Sequence, residues 1–205
     1  AEAHGGGRPL ASIAAQPVFV VALVGGMFGY GLMSLVMTAT PLAMHAHDYP
    51  FGDTAFVIQW HVLGMFAPSF VTGHLIRRFG VLQVMLTGVL LIALCAMTNL
   101  AGTALVNYSV ALALLGVGWN FLFIGSTTLL TEAYRPEEKA RAQALNDFVV
   151  FTTVTMAVLS AGSLQHRLGW RAVNLGVLPL TLIPLTAIVW LMRARRAAAS
   201  PALVS

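Results

Sequence analysis

The sequence predicts an all-α integral membrane protein of six transmembrane helices, built as two inverted three-helix repeats. Three observations carry that prediction. Hydrophobic residues make up 58% of the 205-residue chain and charged residues only 9%. A soluble domain carries about a quarter charged residues, so lipid must cover part of this surface. Six apolar stretches approach the ~20 residues a helix needs to cross a bilayer. A short pattern then recurs three stretches later, at an offset of 89 residues.

Residues 1–16 read as a linker, small and Gly-rich at first. The run after Arg8 is uncharged as far as Asp48, much too long for a signal-peptide core of about 7–15 residues. It is read as a true span over 17–44. The next spans are expected at 54–76, 81–100, 106–130, 147–164 and 172–192. No charge occurs between Arg78 and Glu132, too long a stretch for one span, and its polar break at Thr98–Thr103 predicts a tight turn. The membrane domain thus covers 17–192, with repeats over about 17–100 and 106–192, and 193–205 forms a tail.

Basic residues set the orientation. With the N-terminus inside, Arg8, Arg77, Arg78, Arg135, Lys139, Arg141, Arg193, Arg195 and Arg196 fall on one side, and Arg167 and Arg171 on the other. This bias predicts a multi-pass protein of the cell inner membrane with both termini in the cytoplasm. The net charge of +4 therefore points to membrane flanks, not to nucleic acid. The single cysteine, Cys95, forms no intramolecular disulfide. In the loop Arg135–Arg141, Pro136 fits a first helical turn and glutamates follow it, where the helix dipole favours them. Glu137 and Arg141 are spaced as an i,i+4 pair.

The repeat reads G-x-L-x-x-R-apolar-G at Gly73–Gly80 and again at Gly162–Gly169. The same offset pairs Gly29-Tyr30 with Gly118-Trp119, and Thr38 with Thr127. Three spans separate the copies, so the second lies upside down. Inverted triplets of this kind build many transporters.

With these motifs the chain resembles the C-terminal half of a major facilitator superfamily transporter. Gly73, Arg78 and Gly80 match the family's loop pattern G-x-x-x-D-R-x-G, with Arg77 where the acid usually stands. Thr131–Arg141 resembles the loop between the tenth and eleventh spans, and Gly169-Trp170-Arg171 the entry to the last. The resemblance implies secondary active transport of a small solute by alternating access, with no cofactor and with an N-terminal six-helix half as partner. The alternative is a non-transporting fragment or split half that needs a partner chain.

Candidate residues follow from the cost of polar groups at membrane depth. Tyr30 and Trp119, each beside glycine, are expected to line the substrate cavity with Asn120. Helix packing through Gly29 and Gly118 is the plainer reading, and Gly73 and Gly80 join that set of packing glycines. Gln59 and His61 are further cavity candidates. A neutral histidine bonded to a neighbouring helix is favoured for His61, since one intramembrane histidine is not a relay. Arg77, Arg78, Glu132 and Asp147 are cytoplasmic gate candidates, Asp147 as a partner for Arg77 or Arg78 or simply as a headgroup-level acid. His45, His47 and Asp48 lack a fourth metal ligand at familiar spacing and read as a solvated loop. No Arg or Lys lies at mid-membrane, which favours a neutral, aromatic or cationic solute. No P-loop, G-x-S-x-G or H-E-x-x-H pattern occurs, so an ATP-driven pump or an intramembrane enzyme is not expected.

Overall fold

A computed structural model of the chain describes residues 7–199, and within them every regular element is helical. A short helix α1 (Leu10–Ala14) leads into α2 (Pro17–Ala46). Pro17 opens α2 at a position where its missing N–H costs nothing. Thirty residues at 1.5 Å each give about 45 Å, more than the ~30 Å hydrocarbon core.

The second expected span, 54–76, is broken. It consists of α3 (Phe51–Phe66) and α4 (Ser69–Phe79), bent by 43°. Pro68 explains the break, because it offers no N–H and its ring crowds the carbonyl one turn back. Next come α5 (Val81–Ala101) and α6 (Leu105–Leu130), separated by the turn at Gly102. A 3₁₀ turn (Pro136–Glu138) then feeds α7 (Lys139–Ala199). A straight rod of 61 residues would be about 90 Å long. Gly169 prevents that, since its φ of 79° and ψ of 169° are non-helical and divide α7 into arms 139–168 and 170–199. By length and composition α2, α5, α6 and α7 are each apolar enough to cross a membrane, and the bent α3–α4 pair makes a fifth. Counting six spans requires taking the two arms of α7 separately.

Gly80 has φ 90° and ψ 151°, nearly the backbone of Gly169. Both lie in a region open essentially to glycine alone. They are the two glycines that close the repeated pattern 89 residues apart.

Helix α6 lies at the centre, packed against α2, α3 and α5. Glycine makes this possible. A Cβ on Gly116 would press on the His61 carbonyl and lie 2.8 Å from the Met65 nitrogen. A Cβ on Gly118 would lie 2.9 Å from the Gly88 carbonyl. Gly64 and Gly88 face them from α3 and α5, so α6 touches two backbones at once. Close crossings of small residues are the usual glue between helices in lipid. The outer surface carries large apolar side chains, among them Phe51, Phe70, Phe148 and Leu159.

One end of the bundle gathers the basic residues. There the α1 segment is pinned to the connection between α6 and α7. Arg8 donates from its backbone N–H and Nε to Glu138 Oε1 (2.8 and 3.0 Å) and from Nη2 to Oε2 (2.7 Å). Arg8 Nη2 and Gln16 Nε2 both reach the Ala133 carbonyl (3.0 and 2.8 Å). Glu138 is fully buried and also accepts from the Arg135 N–H at 3.0 Å. Its neighbour Glu137 is exposed, and among the described residues it forms no ion pair with Arg141.

The Arg8 side chain, with the backbone N–H groups of Arg135 and Arg8, holds the Glu138 carboxyl well below the usual carboxylate range. A depressed folded pKa stabilises above the unfolded value, ~4.3, and that contribution is lost as pH falls through the folded value. The N-terminal strap, residues 8–16, is therefore expected to stay docked at neutral and mildly acidic pH. Glu138→Gln removes the charge and is expected to speed amide exchange over residues 8–16 several-fold at pH 7. Unchanged exchange would show that the carboxylate does not hold the strap.

Candidate functional site

The site is built on one stretch of α6. Gly116 and Gly118 fix the helix against α3 and α5, and the next residues, Trp119 and Asn120, take opposite duties. Trp119 lies one turn from Phe123, and their rings stack at 5.2 Å with planes 9° apart. Tyr30 of α2 meets both edge-on, at 5.4 Å from Trp119 and 5.2 Å from Phe123. Phe151 of α7 approaches Tyr30 at 6.0 Å, and Phe66, the last residue of α3, approaches Trp119 at 6.5 Å. Five rings from four helices thus form one continuous wall.

The wall grades from buried to open. Trp119 is 8% exposed and its Nε1–H has no partner among the described residues. Tyr30 and Phe123 are half-buried. Phe66 and Phe151 are 59% and 53% exposed. Edge-to-face and offset contacts orient the rings and present faces on which a flat apolar molecule can stack. The wall contains no charged side chain.

Asn120 points into the interior and is fully buried. Its Nδ2 donates to the Met65 carbonyl and to Ser69 Oγ, both at 2.6 Å, and its Oδ1 accepts from Thr72 Oγ1 at 2.6 Å. The break at Pro68 disturbs the helical ladder, and freed backbone groups at membrane depth need new partners. Asn120 supplies one and ties α6 to the bend. His61 is also fully buried and lies 2.9 Å, through Nδ1, from the Leu112 carbonyl of α6. Its Nε2 is buried too and has no partner among the described residues. Gln59 is exposed on α3, two turns from Phe66, beside a groove of about 490 Å3 shared with His45 and Tyr49.

Of the packing candidates, Gly29 lies against Leu122, where a Cβ would sit 3.0 Å away, and Gly118 against Gly88 and Ile92. Gly73 faces open space, and Gly80 serves a turn. At the basic end, Glu132 binds Arg195 at 2.6 Å. Arg77 and Arg78 are exposed, and Arg78 lies over the Phe79 ring at 5.3 Å. Asp147 is exposed and accepts from Asn146 Nδ2 at 3.1 Å. Helix α4 packs on α3, α5 and α6 and not on α7, so the expected pairing of Asp147 with Arg77 or Arg78 is not made here.

Sequence reasoning did not single out Phe66, Phe123, Phe151 or Glu138. The i,i+4 spacing from Trp119 to Phe123 was a usable signal. Phe66 and Phe151 lie in apolar runs where any residue reads as lipid-facing.

Comparison with known proteins fixes the wider context. The sequence model of the Major Facilitator Superfamily matches residues 18–203. The riboflavin transporter RfnT of Brucella anthropi is 43% identical over 196 residues, 96% of this chain and 49% of that protein. The uncharacterized MFS-type transporter YdeG of Bacillus subtilis is 31% identical over 163 residues, covering 78% of this chain and 37% of its own length. The drug efflux pump JefA of Mycobacterium tuberculosis is 30% identical over 141 residues, 66% of this chain and 27% of its length. The chain spans about half the length, or less, of these relatives. No solved structure matches it.

Proposed function

The chain belongs to the major facilitator superfamily, a family of multi-pass membrane transporters, and on that premise we propose that it is one six-helix half of a secondary transporter for a flat heteroaromatic solute of the riboflavin kind. The wall of Tyr30, Phe66, Trp119, Phe123 and Phe151 carries the proposal. It is open on the side of Phe66 and Phe151, and a second half would close it into a cavity. A fused-ring solute stacks on such rings without needing a charged clamp. The name of the relative RfnT adds the substrate class.

Two features support the architecture. Gly80 and Gly169 share a glycine-only backbone at equivalent points of the repeat, as inverted triplets would require. Taking the arms of α7 as separate spans gives three in each triplet, with the basic end facing the cytoplasm. Alternating access then follows as rocking of the two halves about the solute. The gate candidates Arg77, Arg78 and Asp147 lie exposed at the basic end, where the opposite half would meet them.

The test is uptake of labelled riboflavin by cells that require it and lack their own carrier. The full-length protein containing this chain is expected to support uptake, and this chain expressed alone is not. No uptake above vector-only cells would overturn the flavin assignment. Uptake by the chain alone would overturn its reading as a half.

A further inference from the structure

Two adjoining grooves lie where α4 passes into α5 at the basic end of the bundle. The first, of about 460 Å3, is lined by Leu75, Phe79, Gln83, Val84, Thr87 and Phe121. The second, of about 200 Å3, includes Gly80, Gln83, Met192, Arg195 and Arg196 in its lining. Gln83 lines both, and Phe79 and Gly80 are neighbours in the chain, so the two grooves are continuous. They differ in chemistry. The first carries no charged side chain and is mainly apolar. The second is a basic mouth. Arg78 leans over the Phe79 ring at 5.3 Å and adds a further cation at the rim of the apolar groove. No carboxylate lines either groove. Arg195 donates to Glu132 at 2.6 Å, while Arg78 and Arg196 form no ion pair among the described residues. Arg78, Gln83, Thr87, Arg195 and Arg196 are all exposed, so a ligand can reach them.

The grooves face away from the aromatic wall. Phe121 stands two residues from both Trp119 and Phe123, so at 100° per residue it points about 160° from either. Helix α5 contributes no ring to the wall. A second half that closed the wall would therefore leave these grooves uncovered. From Gln83 an exposed stripe continues along α5 through Thr87, Leu90, Leu94 and Met97. Steps of four and three keep these residues on one helix face. Fourteen residues of helix span about 21 Å, more than the ~15 Å of hydrocarbon in one leaflet.

We propose that the paired grooves bind one anionic phospholipid, with its phosphate in the basic mouth and an acyl chain in the apolar groove and along the α5 stripe. Charge and length both argue for this occupant. Guanidinium groups pair with phosphate through parallel hydrogen bonds, and clustered arginines beside a span favour anionic headgroups. A zwitterionic headgroup brings an ammonium that the same arginines repel. The site requires only that the chain spans a membrane, so it does not depend on which solute is carried.

Native mass spectrometry of the full-length protein, delipidated in detergent, tests this. The probes are phosphatidylglycerol and phosphatidylcholine with identical acyl chains, and glycerol 3-phosphate. Phosphatidylglycerol is expected to bind several-fold more tightly than phosphatidylcholine, and glycerol 3-phosphate, which has no chain, far more weakly. Arg78→Gln and Arg196→Gln are each expected to weaken phosphatidylglycerol binding about fivefold, the usual worth of one basic residue beside an anionic lipid surface. Thr87→Trp fills the apolar groove and is expected to lower binding of the lipid as strongly. Lys139→Gln removes an exposed cation that lines neither groove and is expected to bind as the unchanged protein does. Equal binding of the two lipids, or of glycerol 3-phosphate and phosphatidylglycerol, would overturn the proposal. So would a loss in Lys139→Gln as large as in Arg196→Gln, which would mark general surface charge, or unchanged binding by Thr87→Trp.

Discussion

Replacing Gly116 with leucine is expected to destabilise the bundle severely. The added side chain meets backbone, not a flexible tip. Its first carbon would press on the His61 carbonyl and lie within 2.9 Å of Gly64. Overpacking costs about 1–3 kcal/mol when neighbouring side chains can yield. Here α3 as a whole would have to move, so the loss is expected to exceed ~3 kcal/mol, a large share of the ~5–15 kcal/mol that holds a typical domain. The damage would spread, because the crossing also positions His61 against Leu112 and Asn120 against the α3–α4 bend. Thermal unfolding and the monodisperse fraction on size exclusion of the full-length protein measure the effect. Gly73→Ala is the matched control. Gly73 faces open space in the middle of α4, so alanine there is expected to be neutral or to stabilise by about 0.5–1 kcal/mol. A Gly116→Leu protein that melts within a few degrees of the unchanged one would show that α3 and α6 do not cross this closely.

The two glycine substitutions also show what was legible in the sequence. Both positions are glycine inside a helix, and of the two only Gly73 was among the packing glycines expected from the sequence. Only three-dimensional crossing separates Gly116, pressed on α3, from Gly73, where an added Cβ would meet no atom within 4 Å. Hydropathy located the long helices because lipid imposes a length and an apolar composition on every span. The Gly169 break was legible too, as a polar interval closed by glycine. Pro68 was a readable local signal that the span 54–76 would not stay straight. The partners of Asn120 and Glu138 were not readable. Asn120 bonds residues 48–55 positions away, and Glu138 bonds Arg8 across 130 positions. Nothing in local composition distinguishes such a buried glutamate from exposed Glu137 beside it. Asn120 looked like a cavity residue for the same reason. A polar side chain at membrane depth signals that it has a partner, not whether that partner is a solute or a bent helix.

On the proposed reading, Phe151→Ala in the full-length protein is expected to lower riboflavin uptake strongly while leaving the fold nearly intact. Trp119 is the less informative target, because it is 8% exposed and truncating a buried Trp costs about 3–5 kcal/mol of stability. Loss of transport there would not separate solute contact from unfolding. Phe151 is 53% exposed and reaches the wall only through its 6.0 Å contact with Tyr30, so its removal leaves no large cavity. If its free face stacks on the solute, the lost contact is worth about 1–3 kcal/mol, the range for stacking of a base on an aromatic side chain. That corresponds to roughly 5–140-fold in kcat/KM, at 1.4 kcal/mol per tenfold. Tyr30→Phe keeps the ring and is expected to change transport little, which distinguishes stacking from hydrogen bonding. Leu159→Ala supplies the opposite control, since Leu159 lies on the same arm, is 74% exposed and belongs to no aromatic contact. It is expected to transport normally. The comparison turns on what covers the exposed rings. Equal, small effects of Phe151→Ala and Leu159→Ala would mean that lipid covers Phe151 and that the wall is core packing. A large effect confined to Phe151 would mean that solute passes along it.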